Sequence, residues 1–371
     1  MILVLVILLV LFAVFFLVRA LYDRYWNKGL TCDLHFQGEY GVEDETGVLT
    51  EVLTNRKLLL LPVLEIDFHM DRRLQFADGQ NASLSDQSYR RDVFTLSVNQ
   101  RITRTLEFKC AGRGYFQIQE AGFTARDLFL TRKYLSGSPQ NTSFYVLPRP
   151  VPTEQINIPF SRIMGTLLSR KKVYDDPFEF AGLREYSRGD PMKYVNWKAT
   201  AHAGKLLTNL HESTLSQRVV LLLDMEGEGV RHADRLNEAA VRIACSLGER
   251  LLREGIELSL YSNGSDVQTE KPWCLEDFSG AGNVLALRKR LACVQAGNGL
   301  APVCDYIPPQ KKPGEGDLLV LVTRDPRPET LEQLSGAAGK ERGLCIVPYE
   351  VEHGDLAVPQ NIEMIWLEAK G

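Results

Sequence analysis

Three carboxylates crowd into five residues at Asp224, Glu226 and Glu228, where the apolar run "RVVLLLD" (218–224) gives way to "DMEGEG". A further acid, Asp325, follows Thr323 in "VTRD", directly after a second apolar run, "DLLVLVT" (317–323). Oxygen donors gathered in this way suit a hard cation such as Mg2+ or Ca2+. Like charges this close repel unless a cation or a proton relieves them. The chemistry such a cluster allows is metal-dependent hydrolysis or phosphoryl handling. The plainer reading makes Glu226 and Glu228 a solvated acidic loop and Asp224 the cap of the turn that follows.

The second dense stretch is "FEFAGLREYSRGDPMKYVNWKAT" (178–200), which sets Arg184, Glu185, Arg188, Asp190, Lys193 and Lys198 among Phe178, Phe180, Tyr186, Tyr194 and Trp197. Asp190 followed by Pro191 is an N-cap and first-turn pair, which predicts a short helix running to Gly204. On that helix Tyr194, Trp197 and Ala201 share one face. Two readings stand: a packing clasp between domains, with Trp197 as a core ring, and a docking surface for a partner protein. Catalytic templates are absent. "SGAAGKE" (335–341) lacks the spacing and the Ser or Thr of a phosphate loop. No G-x-S-x-G elbow occurs. His35, His69, His202, His211, His232 and His353 have no metal-ligand spacing.

The elements that must position these residues fall into two patterns. Residues 31–147 carry short alternating runs, among them "VLTEVLTN", "VLEIDFHM", "RTLEFKC" and "SFYVLP", parted by turn-rich pieces such as "DGQNASLSD" and "SGSPQNTS". They predict a β-sandwich-like domain over 31–150. "PRPVP" (148–152) is a stiff boundary, and 151–216 reads as a linker holding the dense stretch, its residues 153–172 only weakly patterned. From 217 to 371 buried-type strands alternate with helices. Leu236, Ala240, Ile243, Ala244, Leu247 and Leu251 recur at helical spacing, and Gly255 stands where a C-cap belongs. This predicts an α/β domain with a doubly wound, mostly parallel sheet. In such sheets ligands bind beyond the carboxyl ends of the strands, where the strand order reverses. The long loop over 294–316 reads as functional or irregular.

The chain has 371 residues and a net charge of −4, with no basic field of the kind nucleic-acid binding needs. Its seven cysteines are dispersed and form no C-x-x-C pair, the pattern of free thiols in a reducing compartment. From Met1 to Val18, "MILVLVILLVLFAVFFLV" has no polar side chain, and with Ala20 and Leu21 it reaches the length of a bilayer core. No basic leader precedes the run and no small-residue cleavage site follows it. The expectation is a retained transmembrane helix over 1–21, a single pass through the cell membrane. Tyr22, Tyr25 and Trp26 are read as interfacial anchors. Arg19, Arg24 and Lys28 place the remainder on the cytoplasmic side. The sequons at Asn81 and Asn141 favour the opposite case, an exported adhesion protein.

The stretch "EFAGLREYSRGDPMKYVNWKATAHAGKLLTN" resembles the signature of the bacterial and archaeal family called domain of unknown function 58, which runs approximately E-F-x-G-L-R-x-Y-x-x-G-D and then N-W-K-A-T-A-x-x-G. Glu179, Phe180, Gly182, Leu183, Arg184, Tyr186, Gly189, Asp190, Asn196, Trp197, Lys198, Ala199, Thr200, Ala201 and Gly204 match it. "GRGYF" (112–116) and "ARDLF" (125–129) are similar to two upstream segments of that family. The resemblance implies a membrane-anchored protein with a β-rich middle and a von Willebrand A-like α/β domain. It further implies partnership with a MoxR-type AAA+ ATPase, or its clients, in assembly or envelope-related processes. Metal sites of von Willebrand A domains run D-x-S-x-S. Asp224 matches the first position, Glu226 and Glu228 replace both serines, Asp325 stands as the loop acid but is displaced by Arg324 from the usual T-D order, and the Thr-bearing loop has no clear counterpart beyond Ser279, so the adhesion-type metal site is degenerate. Family members often carry two adjacent spanning helices, and this chain shows one. The leading expectation is thus a non-enzymatic membrane adaptor without an obligatory cofactor. The alternative is a metal-dependent hydrolase built on Asp224, Glu226, Glu228 and Asp325.

Overall fold

In the computed structural model, which describes residues 2–76, 82–84, 87–174, 180–187, 192, 195–211, 218–227, 231–269, 276–307, 313–314, 317–339, 341–350 and 356–369, the chain divides into two units. One holds Met1–Arg149 with Lys289–Cys293, the other Pro150–Arg288 with Val294–Gly371.

The first unit begins with helix α1 (Ile2–Tyr25), 24 residues long and apolar enough to cross a membrane. Ten strands follow: β1 (Leu30–Phe36), β2 (Tyr40–Val42), β3 (Thr46–Asn55), β4 (Leu61–Asp71), β5 (Leu74–Phe76), β6 (Ala82–Leu84), β7 (Gln87–Leu96), β8 (Arg101–Cys110), β9 (Gly114–Arg126) and β10 (Lys133–Leu147). They form a sheet of order β1-β3-β8-β5 and another of order β2-β10-β9-β4-β7-β6. Among the described residues all pairings are antiparallel except that of β2 with β10. The period-2 pattern does what it predicts: in β1, Leu30, Cys32, Leu34 and Phe36 are buried while Thr31, Asp33 and His35 are exposed. Phe36, Phe108 and Phe144, from three strands, pack ring against ring in the core.

Two expectations fail in this unit. "SGSPQNTS" is no turn but the middle of β10, where the register with β9 shifts between Pro139 and Thr142. Its polar side chains have a use. β1 is an edge strand, and Gln140 accepts from the N–H of Leu34 at 3.0 Å and donates to the carbonyl of Cys32 at 2.8 Å. Gln140 thereby stands in for a neighbouring strand. Tyr22 and Trp26 are not interfacial anchors. They are buried in the sandwich core, Tyr22 bonded through its hydroxyl to the Leu60 carbonyl and Trp26 packed on Tyr134. An aromatic ring past an apolar helix serves a headgroup layer or a protein core equally well, and here the core takes both.

In the second unit, Thr153–Tyr174 forms a 22-residue helix, α2, rather than a weakly patterned linker. Ile156, Phe160, Ile163 and Leu167 bury one stripe of it, and Pro159 is accommodated inside it. α2 packs on α4 (Arg231–Arg253): Arg250 lies over the Phe160 ring at 4.0 Å, and Ser246 accepts from the Val151 N–H at 2.9 Å. A small module follows α2, with strands β11 (Phe180–Glu185) and β12 (Leu207–His211) and helix α3 (Trp197–Ala203).

The main sheet contains β13 (Arg218–Leu223), β14 (Glu257–Ser262), β16 (Glu276–Phe278), β18 (Leu318–Val322), β19 (Gly343–Tyr349) and β20 (Ile362–Glu368), in the order β16-β14-β13-β18-β19-β20. Five of these strands run parallel, and β16 is an antiparallel edge. Every residue of β18 is buried, as in strands covered on both faces. On one face Val220, Leu222, Tyr261, Leu319 and Leu321 pack with Leu331 and Leu334 of α6 (Pro328–Ala338). On the other, α4 comes so close at Gly248 that a Cβ there would lie 2.8 Å from Leu287 of α5 (Val284–Cys293) and 3.0 Å from Leu258. The loop over 294–316 opens with β17 (Val294–Gln295), paired to β15 (Ser265–Asp266), and buries Val303 and Ile307 in the core.

Candidate functional site

The chain leaves β13 for β14 on one side and later returns to β18 on the other, so the strand order reverses between β13 and β18. Asp224 follows the last residue of β13 and Thr323 the last of β18, which places both at that crevice. They meet: Thr323 donates its hydroxyl to Asp224 Oδ2 at 2.9 Å. Asn263, just past β14, donates to Asp224 Oδ1 at 2.8 Å and to the Ala301 carbonyl at 3.2 Å, while its Oδ1 accepts the Met225 N–H at 2.8 Å. The backbone N–H of Glu226 also reaches Asp224 Oδ1, at 3.2 Å. A buried carboxylate is tolerated only when its lone pairs are satisfied, and neutral donors do that here.

The remaining acids point to other partners. Both Glu226 oxygens accept backbone N–H groups of the 294–316 loop, from Gly299 at 3.0 Å and Leu300 at 2.7 Å. Asp325 pairs with Arg327 at 3.0 Å, and its N–H donates to Thr323 Oγ1 at 3.1 Å. Glu228 lies outside the described residues. Among the described residues, no three His, Cys, Asp or Glu side chains gather as metal ligands. Asp224 ties the ends of β13, β14 and β18 together and Glu226 adds the 294–316 loop, while Asp325 bonds within its own loop. Ser279 precedes α5 and, among the described residues, has no bond to this cluster; its carbonyl accepts from Asn283 at 2.6 Å. Gly227 has φ +91°, and a Cβ on it would collide with the guanidinium of Arg324, whose Nε holds the Glu226 carbonyl at 3.0 Å. Burial pushes the Cys345 thiol up to about 12, with the Asp224 charge adding to it. Burial, then Asp305 and Asp224, raise Cys304 to about 11. Both thiols stay protonated at neutral pH and are poor nucleophiles.

Asn263 was not among the expected site residues because a neutral amide gives no charge signal. Its place in "YSNG", at the end of the strand beside β13, is the one cue the sequence offers. Asn263→Ala strips a partner from the Met225 N–H and from Asp224 at once. It should lower stability by about 1–3 kcal/mol, read as a lowered melting temperature of the second unit, while Asn263→Asp restores only the Met225 acceptor.

The signature stretch is built differently from expectation. Asn196, not Asp190, caps the helix: its side chain accepts the Ala199 N–H at 2.9 Å, and α3 ends at Gly204, φ +67°. Gly189, Asp190, Pro191, Lys193 and Tyr194 lie outside the described residues. Arg184 pairs in register with Thr208, and Glu185 with Leu207. The Tyr186 N–H donates to the Leu206 carbonyl at 3.0 Å, and the Asn196 N–H to the Leu207 carbonyl at 2.9 Å. Thr200 accepts the Leu207 N–H at 3.0 Å, locking α3 onto β12. Glu185 is ion-paired with Lys205, whose hydrogen bond and charge hold the carboxyl below its ordinary range. Trp197 is 61% exposed and α3 buries no residue, so the core clasp expected at Trp197 is not what forms. Leu183, Met192 and Leu206 are exposed as well, as are Arg184, Glu185 and Lys198.

No family model matches the chain, and no curated protein does. Among solved structures, the CARDB domain of the PF1109 protein from Pyrococcus furiosus is 8% identical, covering 31% of this chain and 90% of that one with a TM-score of 0.20. The sixth cohesin of scaffoldin B from Acetivibrio cellulolyticus is 14% identical, over 31% of this chain and 98% of that one, with a TM-score of 0.21. A GH20 exo-β-N-acetylglucosaminidase from Vibrio harveyi is 9% identical, over 84% of this chain and 59% of that one, with a TM-score of 0.22. Likeness at this level assigns neither fold family nor activity to this chain.

Proposed function

We propose that this protein is a membrane-anchored adaptor, held at the cytoplasmic face by α1, that offers the β11–α3–β12 module to a MoxR-type AAA+ ATPase or to that ATPase's client. The observation that carries the reading is the exposure of Trp197, Leu183, Met192 and Leu206 in the stretch that resembles a family signature. Large apolar side chains left outside the core, with Arg184, Lys198 and Lys205 around them, have the composition of a protein-binding patch. The mostly parallel sheet with helices on both faces supports reading the second unit as a von Willebrand A-like, doubly wound domain. The acids at its crevice fasten loops and so shape a surface rather than host a reaction.

Affinity capture of the full chain from detergent-solubilised membranes, with mass spectrometry, tests the reading. The parent chain should retain an ATPase or a client. Trp197→Ala and Arg184→Ala should each lower the yield at least about tenfold, the effect of losing one anchor residue at the centre of an interface. A parent chain that captures neither class of protein removes the proposal.

A further inference from the structure

Four connections of the first unit gather at one end of the sandwich, the end from which α1 emerges: 26–29, 56–60, 97–100 and 127–132. Hydrogen bonds join the first three. Lys57 donates to the Trp26 carbonyl, Arg56 N–H to the Gly29 carbonyl at 2.8 Å, Asn99 N–H to the Lys57 carbonyl at 3.2 Å, and Asn55 to the Ser97 carbonyl at 2.8 Å. The fourth is fixed to α1 itself, through Arg132 and Tyr134 on Asp23, each at 2.8 Å. This end is not polar. Leu128, Phe129 and Leu130 are all exposed, as are Val98 and, at 81%, Leu58. Their exposure is built in: the buried Asp127 accepts the N–H groups of Thr131 and Arg132, and Leu130 takes φ +58°, so the turn turns its apolar side chains outward.

The level of this turn along α1 is set by one contact. Phe129 packs on Phe15 with ring centroids 5.0 Å apart. Phe15 lies inside the apolar run, about 9 Å up the helix from Leu21 at 1.5 Å per residue. Phe16 and Leu17, the next two residues toward the sandwich, are exposed apolar side chains of the same helix, and the first charge after them is Arg19. A bilayer that covers these apolar side chains also reaches Phe129 where it touches Phe15.

We propose that this end of the sandwich is a second membrane contact, with Leu128, Phe129 and Leu130 set into the interfacial layer of the bilayer and Leu58 and Val98 resting on it beside them. Exposed Arg24, Lys28, Arg56 and Arg132 ring the same end, at the level of headgroup phosphates. Arg19, inside the span, lies close enough to Asp23 and Asp127 for its charge to act on both. The contact makes the sandwich a rigid pedestal on the lipid rather than a domain on a free tether. It rests on α1 being a membrane anchor.

The test is fluorescence of the full chain reconstituted in phosphatidylcholine vesicles with and without brominated acyl chains. Phe129→Trp and Leu128→Trp report the turn, Phe12→Trp reports the span, and Gln37→Trp, an exposed residue at the opposite end of β1, reports solvent. The signal of each is taken over that of the parent. Bromine should quench the added fluorescence at 129 and 128 at least threefold more than at 37, approaching the value at 12. Equal quenching at 129, 128 and 37 with strong quenching at 12 overturns the pedestal and leaves the anchor standing, the turn then being covered by protein. No quenching at 12 overturns both.

Discussion

Trp26→Ala should destabilise the first unit by about 3–5 kcal/mol, while Trp197→Ala should change the stability of the second by less than about 1 kcal/mol. Trp26 is 7% exposed, lies in the sandwich core cluster and packs on Tyr134 at 5.7 Å. Removing its ring opens a void beneath the end of α1 that rigid strands cannot close. It also loosens the stretch whose Trp26 carbonyl holds Lys57. Trp197 sits on a seven-residue helix with no buried residue, so its ring has little to lose. Denaturant unfolding of the full chain in detergent, following the two units separately, measures both values. A Trp26 variant within about 1 kcal/mol of the parent would mean that α1 and the sandwich do not share a core. A large loss at Trp197 would return it to the role of a packing clasp.

The contrast between these two tryptophans shows what a sequence can carry. Each stands in an aromatic, basic neighbourhood, and residue type cannot say which ring is covered; only the tertiary partners decide. Where burial follows from the element itself, the sequence is legible. "RVVLLLD" and "DLLVLVT" are strands because a strand covered on both faces needs unbroken apolar residues. Leu236 to Leu251 form a helix face because their spacing fits no other element. α2 was obscured by Pro159 and Gly165, which read as breakers although Ile156, Phe160, Ile163 and Leu167 keep helical spacing. β16 has three residues and no pattern long enough to read. Of the site, Asp224 and Thr323 were legible as strand ends that must converge where the order reverses. The ties of Asn263 to Asp224 and of Glu226 to Gly299 and Leu300 were not. They join segments far apart in the chain, and backbone donors in a loop have no sequence signature.

Glu51→Gln should make the first unit more stable above neutral pH by about 3 kcal/mol and leave it nearly unchanged at pH 4.5. Glu51 points between the two sheets, fully buried, and among the described residues both its carboxylate oxygens lack a hydrogen-bond partner. Arg104 lies opposite it in register on β8 but bonds Asp92 at 2.9 Å, and Arg90 bonds the same Asp92 at 2.6 Å. The two guanidiniums thus serve Asp92. Burial first, and then the Asp92 charge, push Glu51 up to about 7, against the weaker pull of Arg104 and Arg90. A carboxyl whose folded value lies above its unfolded one keeps its proton in the folded state while the unfolded chain has lost it. Its contribution to stability is whole below about pH 4.5 and is lost as pH rises through 7. The cost above that point is about 1.4 kcal/mol for each pH unit separating the two values. Glutamine reproduces the protonated side chain without the titration, so it removes that slope and little else. Asp92 and other carboxylates titrate in both proteins, which makes the difference between parent and variant the quantity to follow, by thermal unfolding from pH 4.5 to 8.5. A gap that opens between pH 5 and 8 identifies Glu51 as a proton-holding acid of the sandwich core. A gap that stays constant across the range shows that its carboxylate finds compensation when charged.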